Sequence, residues 1–136
     1  MKQINFILIG LLAIGGLLFS GFMFADSPTK VPSQITKALL NGNSDELSEY
    51  FNTNLELVML EKTDICTKKQ AKLIVENFFD FNKPSDFKVV YEGQQSDALH
   101  VMGELLTDSN KKYNVYFLVK NSDEQVVITQ FKIEVQ

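Results

Sequence analysis

The chain has 136 residues, with 17 acidic and 13 basic side chains, one Cys, one His and no Trp. That length holds one domain, a single Cys excludes an internal disulfide framework, and a single His excludes a multi-histidine metal site, so no metal or cofactor is expected. All the basic residues are Lys, and an acidic chain lacking the bidentate Arg fork is not expected to bind nucleic acid.

Residues 4–25 carry no charge, with Lys2 before them and Asp26 after. A short basic start followed by an apolar run is the secretory pattern, so residues 1–25 read as a signal peptide and the protein as exported, periplasmic or secreted. The alternative is an uncleaved membrane anchor, since 22 uncharged residues in a helix reach about 33 Å. Gly10, Gly15, Gly16 and Gly21 and the lack of a following basic cluster speak for removal. Removal takes away Lys2 and no acid, which moves the formal charge from −4 to −5. Any membrane contact is expected through residues 4–25 alone, and only if they are retained.

A linker over residues 26–30, with Pro28, leads into a single domain over residues 31–136. Ile35, Ala38 and Leu39 have helical spacing, and Asn41-Gly42 closes that helix with a residue suited to the left-handed conformation. Ser44 is expected to cap a second short helix whose apolar stripe is Leu47, Tyr50 and Phe51. Alternation over residues 55–60 predicts a strand. Thr67 and Gln70 form a capping box for a longer helix with Ala71, Ile74, Val75, Phe78 and Phe79 on one face, ended by Pro84. From residue 86 the period becomes two. Four strands are expected, near residues 87–93, 98–107, 112–120 and 126–135, separated by turn-forming residues. On the last of them, Val126, Ile128, Gln130 and Lys132 share the expected outer phase. The fold class is therefore α+β, with N-terminal helices packed on a curved, mainly antiparallel sheet.

With these pieces in order, the chain resembles a family of exported bacterial proteins of unknown function within the nuclear-transport-factor-two-like, or cystatin-like cone, superfamily. The resemblance rests on Leu40-Asn41-Gly42-Asn43, Leu47-Ser48-Glu49-Tyr50-Phe51, Thr67-Lys68-Lys69-Gln70-Ala71 and Phe78-Phe79. It continues through Pro84 to Val89, Met102-Gly103-Glu104-Leu105, Tyr113 to Phe117, and Phe131-Lys132-Ile133-Glu134. The chain departs from that family where Cys66 replaces an aromatic and Lys132 replaces an Arg. The resemblance implies a sheet curled around helices into a cone, and supplies no catalytic residues. Enzymes of the wider superfamily, such as ketosteroid isomerases and small dehydratases, place an acid, a Tyr or a His inside the cone.

Strand alternation sets His100 with Ala98, Met102 and Glu104, and Tyr116 with Asn114, Leu118 and Lys120. His100, Tyr116 and Glu104 are the candidate acid–base residues, with an inert strand histidine as the plainer account. Phe78, Tyr116 and Phe131 are the candidate ligand-pocket residues. The set Phe78, Phe79, Phe81, Phe87, Tyr91, Phe117 and Phe131 reads mainly as core. Cys66, next to a helix start, reads as a structural thiol ahead of a reactive one. The leading expectation is a non-catalytic module that binds a small hydrophobic ligand or a protein, or assembles as a homodimer through the sheet face. The alternative is a small lyase or isomerase with an acid–base pocket in the cone.

Overall fold

The computed structural model describes residues 28–136. The predicted signal peptide, or anchor, lies outside the described residues. Within them the order is α1 (Ser33–Asn41), α2 (Ser44–Glu49), β1 (Phe51–Met59), β2 (Lys62–Thr67), α3 (Lys68–Phe81), β3 (Pro84–Gln95), β4 (Ala98–Thr107), β5 (Lys112–Ser122) and β6 (Gln125–Val135). The strands form one six-stranded sheet in the order β2-β1-β6-β5-β4-β3. Every neighbouring pair is antiparallel except β1 with β6, which run parallel, so the sheet is mixed.

Local chemistry explains the helix ends. Gly42 takes a left-handed φ of 61° at the end of α1, where its amide and its neighbour's satisfy the last carbonyls. The cap of α2 is Asn43 rather than Ser44: the Asn43 side chain accepts from the Glu46 amide, and Ser44 is the first, buried, helical residue. The capping box of α3 forms as the spacing predicts, Thr67 accepting from Gln70 N while Gln70 Oε1 accepts from Thr67 N. Lys72 of α3 reaches Asp45 of α2 at 2.6 Å and ties the two helices together.

Two strand features depart from the expected pattern. Phe51 opens β1 instead of closing α2, and β2, which carries no apolar alternation, pairs with β1 through a hairpin turning on Leu60 and Glu61, both at positive φ. The second departure is bulging. Val119 pairs with Ile128 but Leu118 with Gln130, leaving Thr129 as an extra residue on β6. Ile128 therefore turns into the core while Gln130 and Lys132 stay outside, which separates residues that simple alternation had put together. On β3, Val90 is likewise extra between Val89 and Tyr91.

One face of the sheet is covered by the helices. Leu99, Val101 and Leu105 of β4, Tyr113, Val115, Phe117 and Val119 of β5, and Ile128, Phe131 and Ile133 of β6 are buried there. They join Ile35, Ala38, Leu39, Leu47, Ala71, Val75, Phe78 and Phe79 of the helices in one core. Burying large apolar side chains on both sides of this interface is the main stabilising contribution, at about 1.5–3 kcal/mol for each. The chain enters the fold against β3, where Gln94 Nε2 donates to the Pro28 carbonyl at 3.0 Å and the Val31 amide donates to Glu92 at 3.4 Å.

Candidate functional site

The face turned away from the helices is a grid set by strand register. Directly opposed residues put their side chains on the same face, so each row crosses the sheet. The middle row runs Tyr91, Met102, Tyr116, Lys132, Val58 from β3 to β1. One neighbouring row holds Gly93, His100, Leu118, Gln130 and Glu56; the other holds Lys88, Glu104, Asn114 and Glu134. An aromatic and thioether stripe thus lies between a mostly neutral row and a charged one.

Within the grid, His100 Nδ1 and the Tyr116 hydroxyl meet in a hydrogen bond, with ring centroids 6.0 Å apart. Burial raises the Tyr116 phenol above the ordinary range; Lys132 partly offsets this and Tyr91 adds to it. The phenol therefore keeps its proton at neutral pH, and its oxygen can donate to an unprotonated Nδ1 or accept from a protonated one. Tyr91 is drawn into the cluster by two backbone features. The Val90 bulge turns it onto this face, and Gly93 opposite His100 leaves room for the phenol, since a Cβ at Gly93 would collide with it. Lys132 Nζ is held by Glu134 at 2.9 Å. Between Met102, Asn114, Tyr116, Lys132 and Glu134 lies a shallow depression of about 250 Å³.

Glu104 shares the face but not the bond. It is four residues along β4 from His100, 3.9 Å from Lys88 and 3.4 Å from the Gln136 amide. The three ligand-pocket candidates are divided between the two faces. Phe78 packs edge-on against Tyr113 in the core at 5.1 Å, and Phe131 lies between Phe51 and Phe117 at 5.9 and 6.2 Å, while Tyr116 is on the outside. The inner surface near Phe131 is occupied by packed side chains, and the His100–Tyr116 pair stands on the opposite face. Two aromatics assigned to the core are exposed: Phe81, at 82%, in the last turn of α3, and Tyr91, at 57%. Periodicity names Tyr91 as apolar but gives no sign of the inserted residue that re-aims it.

Cys66 is buried on β2, where burial, and secondarily Asp64, push its thiol up and so hold it protonated. Among the described residues, no three of His, Cys, Asp and Glu gather closely enough to hold a metal ion, and no helix is long and apolar enough to cross a membrane.

With this geometry in view, residues 32–134 match the family model described as a domain of unknown function, DUF4783. No curated protein matches the chain. Among solved structures, a DUF4783 family protein from Bacteroides ovatus is 28% identical, with a TM-score of 0.74 over 80% of this chain and 98% of its own. Another from Bacteroides uniformis is 27% identical, with a TM-score of 0.73 over 79% and 98%. An NTF-2 like protein of unknown function from Silicibacter pomeroyi is 11% identical, with a TM-score of 0.54 over 76% and 88%, and shares the fold alone.

Proposed function

The chain belongs to the DUF4783 family, a domain family of nuclear-transport-factor-two-like fold, and we propose that this member is an exported, non-catalytic assembly module that pairs with a second copy of itself through the outer sheet face. The observation that carries this reading is the central stripe Tyr91, Met102, Tyr116 and Lys132, flanked on one side by a row with charges of both signs. Aromatic and Met side chains in the middle of a patch, with ion pairs at its edge, form the composition that association surfaces favour. Lys88 with Glu104 and Lys132 with Glu134 give the face both signs, so a copy of itself meets no one-sided repulsion.

Size supports the same occupant. Strands β4, β5 and β6 are 10 or 11 residues long. Five strands spaced by about 4.8 Å, each of about ten residues, offer about 800 Å² a side, which is what a standard interface uses. A lyase or isomerase reading draws on the His100–Tyr116 bond. Its weakness is position, because that pair stands on the face opposite the core, where Tyr116 but not His100 lines a shallow depression, and Glu104 is engaged elsewhere.

Light scattering coupled to size exclusion, on the chain expressed at full length and purified, tests the proposal at about pH 8. The expected mass is twice that of one chain at tens of micromolar, falling toward the single-chain value in Met102→Lys, which puts an uncompensated charge in the stripe. A single-chain mass for the unaltered protein at that concentration would overturn the reading.

A further inference from the structure

We infer that His100 makes this self-association pH-dependent: the paired state takes the neutral imidazole, and protonation of His100 releases the partner. The inference rests on the assembly reading above and adds its regulation.

The argument begins with what surrounds the ring. In its own row His100 faces Gly93 on β3, Leu118 on β5 and Gln130 on β6, none of them charged. The row's carboxylate, Glu56, is on β1, three strands away. On β3 the adjacent acid, Glu92, lies opposite inward-facing Val101 and binds the Val31 amide on the helix side. Tyr116 contributes a phenol that keeps its proton at neutral pH, and Tyr91 a second hydroxyl beside it. The nearby cations are Lys132, paired with Glu134 at 2.9 Å, and Lys120, paired with Asp97 at 3.6 Å. Along β4, Glu104 is engaged by Lys88 and Gln136.

An imidazolium here therefore has water as its main stabilising neighbour. A second sheet laid on the face removes that water and brings a copy whose Glu104 and Glu134 are already paired with Lys88 and Lys132. The neutral ring suits the covered state better, because an imidazolium stripped of water there keeps the Tyr116 oxygen as acceptor but faces no carboxylate across the neighbouring strands. The sign follows by linkage. Separated chains bind more protons at His100 than the pair does, so falling pH favours separation. Imidazole is the side chain whose charge changes in the range of about pH 5 to 8.

Sedimentation analysis of the full-length protein at pH 8.0 and pH 5.5, beside His100→Gln, tests this. The quantity compared is the ratio of dissociation constants at the two pH values within each protein, whatever the affinity at pH 8.0. The unaltered protein is expected to dissociate about tenfold or more readily at the lower pH. In His100→Gln, whose amide oxygen still accepts from Tyr116 but does not titrate, the ratio is expected near one. Far-ultraviolet circular dichroism at both pH values establishes that each protein remains folded. A ratio near one in the unaltered protein overturns the gating and leaves the assembly reading standing. An equally pH-sensitive variant overturns the assignment to His100, and absence of any pair at pH 8.0 overturns the assembly reading itself.

Discussion

Gly103 lies in the middle of β4 on the buried face, and the packing there has no place for a side chain. A Cβ built on it would collide with the Phe87 ring and stand 2.9 Å from the Lys88 carbonyl oxygen. The ring is fixed in the core and the carbonyl belongs to a paired strand, so neither yields easily. Gly103→Ala is expected to cost about 1–3 kcal/mol in urea unfolding. Adding Phe87→Leu should return part of that loss, because the two substitutions meet at one contact. An unchanged midpoint for Gly103→Ala would contradict this packing. Gly93 and Tyr91 show the same device on the outer face, where a missing side chain opposite His100 lets a phenol join the cluster. In the sequence both glycines look like strand-weakening residues. Their purpose depends on which aromatic lies across the ladder, and that is a matter of register.

At the scale of elements, helix ends are legible because their chemistry is local. Thr67 and Gln70 are three residues apart, and the reciprocal bonds they make involve only their own turn. Thr67→Ala is expected to lower stability by about 1 kcal/mol, seen as a reduced denaturation midpoint with an unchanged slope; no change would show that the cap is idle. Strands obey less local rules. β2 has no alternation to announce it, since five of its six residues are exposed and it is held by backbone pairing to β1. Likewise, Ile128 and Gln130 read as one phase until the bulge at Thr129 turns them to opposite faces. A bulge follows from how two strands accommodate sheet curvature, so nothing within β6 alone foretells it.

For the molecule as a whole, stability should be graded across the sheet. β5 and β6 are bonded on both sides and have buried side chains along their inner face, whereas β2 is a short edge strand. Amide hydrogen exchange is therefore expected to be slowest at Val115, Phe117 and Phe131 and fastest, among strand residues, in β2. Equal protection in β2 and β5 would show that the sheet opens as a unit.

The order and type of most elements, the apolar faces of the helices and the α+β class were decided by residue spacing and local capping, because those depend on neighbours a few positions away, while the family resemblance is carried by short motifs along the chain. The parallel pairing of β1 with β6, the inward turn of Ile128 and the meeting of His100 with Tyr116 on the face opposite the core required the folded chain. Each depends on which strands lie side by side and where an extra residue shifts their register, and those choices are made by packing between segments far apart in sequence.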